Sequence, residues 1–247
     1  MPTTPEGFAV RIDALKTQLV EQGRRVQSLL EVAYDAAFAR DEAAAARAIQ
    51  MDEEVDRVDV DVEREAVQIL TAACSDGAAL APDQVRMTLT IVKVNNELER
   101  IADVGVLIAE LIPALIRCAK GGDTGAAPRS PLPPTFRVLA NSIIGIMRDS
   151  VTAFQRVEPE LAKVVLLSEQ AVGEFKRALV SDTQRQLSTG QITVESANAL
   201  HEVAAHSVVV ADHCTNIAEQ VLYTATGRIM RHFQGRWEEV QFSPRTT

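Results

Sequence analysis

Residues 121–134 read GGDTGAAPRSPLPP, and no helix or strand survives such a run. The stretch holds four of the chain's ten prolines, which makes it a boundary rather than a simple turn. It cuts the 247 residues into two nearly equal parts. A lesser break lies inside each part. CSDGAALAP, at 74–82, has a turn dipeptide at Asp76–Gly77 and, in Pro82, a proline suited to a first helical turn. LSTGQIT, at 187–193, is its counterpart. The segments between breaks predict long helices over 8–40, 42–73, 82–119, 135–156, 158–187 and 192–233. Pro113 would kink the third, Pro159 would open the fifth, and 234–247 reads as an irregular tail. Alanine runs such as Ala43–Ala46 favour helix, and an aromatic content of 4% leaves little to pack a sheet. The expected class is all-α, with no sheet.

Three helices on each side of the boundary suggest a repeat. Phe38-Ala39-Arg40 and Phe154-Gln155-Arg156 stand 116 residues apart, and IQMDEEVD (49–56) aligns with VLLSEQAV (165–172) at the same offset. IADVGVLIAE (101–110) aligns with VADHCTNIAE (210–219) at an offset of 109. The change of seven falls in a hairpin loop, where a structural repeat tolerates it. Two tandem three-helix bundles follow: a first repeat at 8–120, a linker at 121–134, a second repeat at 135–233 and the tail at 234–247.

A net charge of −9 argues against nucleic acid and anionic lipid as main partners, and favours cations or a basic protein surface. Cys74, Cys118 and Cys214 form no CxxC pair and read as reduced thiols packed as small apolar groups. No signal peptide and no run of about 18 apolar residues is visible, so the expected location is the cytoplasm.

The second helix concentrates the acids. Asp52, Asp56, Asp59 and Glu63 are spaced i, i+4, i+7, i+11 and fall within roughly 60° of one another at the helical period. Beside them runs an apolar stripe of Val55, Val58, Val62, Ala66 and Ile69. On the third helix Glu99, Asp103 and Glu110 share a narrow face with Leu89, Val92, Val106 and Leu107, while the opposite face is apolar as well. Carboxylates set in such a surface need a partner. Arg100 and a few lysines cannot neutralise both stripes, whereas a cation can, and paired acids on facing helices are how bundles build oxygen-rich metal sites.

MDEEVD (51–56) and ELERIADVGVLIAE (97–110) resemble the two (E/D)xxxD metal motifs of the PhoU family. Ala153-Phe154, DHCTNIAE (212–219) and VLYTATGR (221–228) extend the resemblance over residues 8–233. The resemblance implies two three-helix bundles, often dimeric, with a metal ion or cluster held by each repeat's paired motifs. Iron, zinc, manganese and magnesium all remain open. It also implies a regulator, not an enzyme, that represses the phosphate-starvation response by contact with the phosphate ABC transporter ATPase and a phosphate sensor histidine kinase. A homodimer is expected, and peripheral membrane contact stays open. Carried over residue by residue, Asp52, Asp56, Glu99 and Asp103 match in the first repeat. The second repeat places Ser168, Val172 and Val208 at three of these positions and keeps only Asp212. Metal is therefore expected at the first repeat, with Asp212 and Glu219, beside Asn216, a weaker set.

Other constellations carry less. His201 and His206 are i, i+5, about 140° apart, and do not make a zinc-protease pair. His213, beside Asp212, is a weaker ligand candidate and reads as a structural or surface residue. No nucleophile is paired with a base, and no glycine-rich phosphate loop is present. A carboxylate-bridged dimetal oxidase or storage bundle would want Glu-x-x-His motifs, which the chain lacks. A metal-free interaction bundle is the remaining alternative.

Overall fold

The computed structural model describes residues 5–75, 79–119, 132–228, 230–233 and 236–239. Six long helices dominate: α1 (Pro5–Ala39), α2 (Glu42–Cys74), α3 (Pro82–Ala119), α4 (Pro134–Arg156), α5 (Pro159–Ser188) and α6 (Val194–Thr226). The turn at Asp76–Gly77 and most of the expected linker lie outside the described residues. α3 runs on through Pro113. The expected all-α architecture of two three-helix bundles holds. Helices α1, α2 and α3 pack together, as do α4, α5 and α6, and the two bundles meet along α3–α6 and α1–α4.

Local chemistry sets the helix ends. The Asp41 side chain accepts the Ala44 N–H at 2.9 Å and starts α2. Thr193 does the same for Ser196 at the start of α6. Proline occupies the first turn of α3, α4 and α5, where its missing N–H costs little. The sixth helix stops at Thr226, short of the expected 233, because Gly227 takes a left-handed φ of 72° and its N–H turns back to the Tyr223 carbonyl. The chain then forms two short antiparallel strands, β1 (Met230–Phe233) and β2 (Arg236–Glu239), in the register Met230↔Glu239. The expectation of no sheet, with helix to 233 and an irregular tail, is corrected to that extent.

The bundles share one hydrophobic core. Where α3 crosses α1, a Cβ added at Gly105 would stand 2.5 Å from Leu29 Cδ2, so any larger residue would force the Leu29 side chain to shift. Tyr34 and Phe136, both fully buried, pack at 6.2 Å between ring centroids, and the Tyr34 hydroxyl meets Ser207 Oγ at 2.7 Å.

The internal repeat is real, but its first offset is 117 and not 116. The two inter-helix turns match at that spacing: Asp41 N–H bonds the Ala36 carbonyl, and Glu158 N–H bonds the Ala153 carbonyl, each at 3.0 Å. Buried residues pair the same way, Leu30 with Met147, Ala37 with Phe154, Val55 with Val172 and Val62 with Leu179. Phe38 thus corresponds to exposed Gln155, not to Phe154. The offset of 109 between α3 and α6 stands, with Ile91 on Leu200, Ile108 on Ile217 and Asp103 on Asp212.

Candidate metal centre

Because Val55, Val58, Val62 and Ala66 of α2 turn inward, the acids beside them come to the flank that adjoins α3. Asn95 of α3, itself buried, locks the two helices in register. Its Nδ2 donates to the Asp59 carbonyl at 3.0 Å and to Asp59 Oδ1 at 2.6 Å. Next to this clasp the four motif acids share one electrostatic field. Burial first, then Asp56 and Asp103, push the Asp52 carboxyl up to about 6. Burial, followed by Asp103, Asp59 and Asp56, raises Glu99, and Arg100 opposes this only as the last-ranked influence. Asp59 is raised by burial, then Glu63 and Asp56. Glu110 is exposed, two turns further along α3.

Donor chemistry fits a hard cation. Asp52 Oδ1 is buried and accepts no hydrogen bond, which is costly for a carboxylate oxygen. Several acids repel one another across two helices, and an oxygen-seeking metal removes both penalties. Among the described residues no three His, Cys, Asp or Glu side chains already stand in a ligating array. Asp56 and Asp103 are exposed, which leaves their side chains room to change rotamer.

The raised Asp52 value has a pH consequence for metal-free protein. The folded carboxyl holds its proton more tightly than the unfolded one, so its stabilising contribution is complete below 3.8 and is lost as pH climbs through about 6. Asp52→Asn, which cannot ionise, should flatten this loss. Melting temperatures of both proteins in chelator across that window test it, and parallel curves would refute it.

In the second repeat the one-residue shift changes which residues correspond. Asp52 maps onto Glu169, not Ser168, and Asp56 onto Gly173, not Val172, which is a core residue. Asp59 maps onto Lys176, and Val208 remains opposite Glu99. Electrostatics agree: Asp212 is raised by burial and then by Glu169, and drawn down by His213 and Lys176. This repeat therefore keeps two acids, Glu169 and Asp212, and places an ammonium beside them. Glu219 is not part of that set. It is buried two turns beyond Asp212 and lines a groove of about 480 Å³ between α3 and α6, with Lys93, Asn96, Glu97, Asn216 and Gln220.

One interaction escaped the sequence reading. His213 Nδ1 lies 2.6 Å from Glu97 Oε2, and Asn216 Nδ2 donates to the same oxygen at 3.0 Å. Burial alone would raise Glu97, but these two bonds and the charges of His213 and Arg100 outweigh it and hold the carboxyl below its usual value. The group ties α3 of one bundle to α6 of the other, which gives His213 the structural rather than the surface role of the two expected. Of the thiols, Cys214 is buried and pushed up to about 12, mainly by burial, whereas Cys74 is exposed and not packed as expected. The Cys118 side chain lies outside the described residues.

The PhoU domain model matches this chain twice, over residues 19–112 and 136–221. The phosphate-specific transport system accessory protein PhoU of Serratia marcescens is 23% identical over 228 residues, covering 92% of this chain and 88% of its own length. A Thermotoga maritima homologue of the same description is 24% identical, covering 92% of both. Among solved structures, the phosphate transport system regulatory protein PhoU from Streptococcus pneumoniae superposes with a TM-score of 0.77 at 16% identity, over 91% of this chain and 100% of that one. PhoU from Pseudomonas aeruginosa gives 0.76 at 20%, over 89% and 99%.

Proposed function

The chain belongs to the PhoU family of phosphate-transport regulators, and from that premise we propose that it is a metal-binding cytoplasmic regulator of phosphate uptake and phosphate-starvation signalling. The observation that carries the metal is the partnerless, buried Asp52 Oδ1, in the electrostatic field of Asp56 on the same helix and Asp103 on α3. Asp52, Asp56, Glu99 and Asp103 would hold the ion, which supplies positive charge and fixes the two helices together. Iron, zinc, manganese and magnesium all accept such oxygen donors. No catalytic role belongs to this reading.

The chain would act by docking on the ATPase of a phosphate ABC transporter and on a phosphate sensor histidine kinase. Its relatives' description as transport system accessory proteins supports the first of these. No helix among the described residues is long and apolar enough to cross a membrane. Exposed apolar residues on several helices, such as Val10, Val67 and Leu167, supply surface for a homodimer or a partner. Pull-down of the ATPase and kinase, run with light scattering on the bait, tests this. Metal-dependent capture by a dimer is expected. Capture that ignores chelator would favour a metal-free interaction bundle, and no capture of either partner would refute the docking role.

A further inference from the structure

A cavity of about 520 Å³ opens where the end of α1 meets the start of α4, within the size range of small-molecule sites. In a chain of net charge −9 its polar lining is cationic: Arg40 and Arg137 flank it beside Asn141, over an apolar floor that includes Phe38 and Val138. The Arg137 guanidinium carbon sits 3.7 Å from the Phe38 ring centroid. A guanidinium stacked on an aromatic face is held in place, with its in-plane N–H fork left for a phosphate or carboxylate. Among the described residues neither arginine is paired with a carboxylate. Asp41, next in sequence to Arg40, is engaged with the Ala44 N–H and with Arg47. The α4 N-terminus opens here too, and its N-cap Pro133 offers no side-chain acceptor, so the positive end of that helix adds to the field.

The turn itself does not explain the arginine. Arg40 and its counterpart Val157 both adopt left-handed backbone, with φ of 57° and 51°. The second repeat makes the same turn with an apolar residue, so the turn geometry requires no cation at Arg40.

We propose that this cavity binds a small organic anion, with its phosphate or carboxylate head paired by Arg137 and Arg40 and its apolar body seated against Leu132 and Val138. Charge-assisted bonds to the two guanidiniums provide orientation, and the apolar floor rejects a bare, fully hydrated ion. The site includes none of the metal-motif acids.

Titration calorimetry on the full chain in chelator, with phenyl phosphate, benzoate, inorganic phosphate and benzyl alcohol as probes, tests this. Phenyl phosphate or benzoate should bind with a Kd of about 1 mM or tighter, as fits probes of this size. The stronger of the two identifies the preferred head. Inorganic phosphate, lacking the body, and benzyl alcohol, lacking the charge, should each bind more weakly. Arg137→Gln and Arg40→Gln, both at exposed positions, should each weaken the organic anion by about tenfold or more, and Arg137→Lys should fall between. Benzyl alcohol or inorganic phosphate binding as tightly as the organic anions would overturn the proposal. So would an affinity unchanged in both glutamine variants, or no binding of either organic anion.

Discussion

Asp103→Ala should strip metal from the purified protein, and Asp212→Ala should leave its metal content unchanged. The asymmetry comes from what surrounds each acid. Asp103 acts on Asp52 of α2 and on Glu99 of its own helix, so its loss removes one of the acids that would converge on an ion from two helices. Losing a direct ligand should weaken the metal by about a hundredfold or more, beyond the 10–100-fold typical of outer-shell changes. Asp212 has Glu169 beside it, but Lys176 stands where the first repeat has Asp59, and Val208 and Gly173 stand where it has Glu99 and Asp56. An ammonium already balances the second pair, and a divalent ion entering there would meet fewer donors and a fixed like charge. Elemental analysis of wild type and both variants decides the matter. Equal metal loss from both changes, or full occupancy at the second repeat, would overturn this reading. Metal-free wild type would overturn the metal site altogether.

Much of the architecture was legible because proline and glycine punctuate the chain and the apolar stripes between them keep the helical period. The expected starts of the third and fourth helices fall within a residue of Pro82 and Pro134. Register was harder. Phe38 and Phe154 look alike in sequence, yet Phe154 is buried in the core while Phe38 is only half-buried, stacked at 5.0 Å on Phe136 and covered by Arg137. Matching the aromatics moved the alignment by one residue, and at 100° per residue that turned Glu169 away and put Ser168 in its place. The observed starts of α2 and α5, at Glu42 and Pro159, carry the right offset, whereas the expected starts at 42 and 158 repeated the wrong one. Glu97 and His213 could not have been paired by any local rule, because they belong to different bundles and meet only when α3 packs on α6. The hairpin after Gly227 escaped for another reason. Each strand is four residues long, too short for alternation to stand out from a helix that was expected to continue.

Phe136→Ala should be the most destabilising single truncation at the seam between the bundles, costing about 3–5 kcal/mol. Phe136 is fully buried in the first turn of α4 and touches two aromatic rings of α1, Tyr34 at 6.2 Å and Phe38 at 5.0 Å. Its counterpart on α1 at the offset of 117 is Leu19, a smaller residue, so the ring is a feature of this seam and not of the repeat. Truncation removes the ring's burial and both aromatic contacts, and leaves a hole between two bundles whose other main contact is α3 against α6. Tyr34 cannot swing freely to fill it, because its hydroxyl is held by Ser207. A domain of this kind is typically stable by only about 5–15 kcal/mol, so the loss is a large fraction of the whole. Denaturant unfolding followed by circular dichroism measures it. A cost below about 1 kcal/mol would mean that the start of α4 collapses into the gap, and that the bundles are held together by α3 and α6 alone.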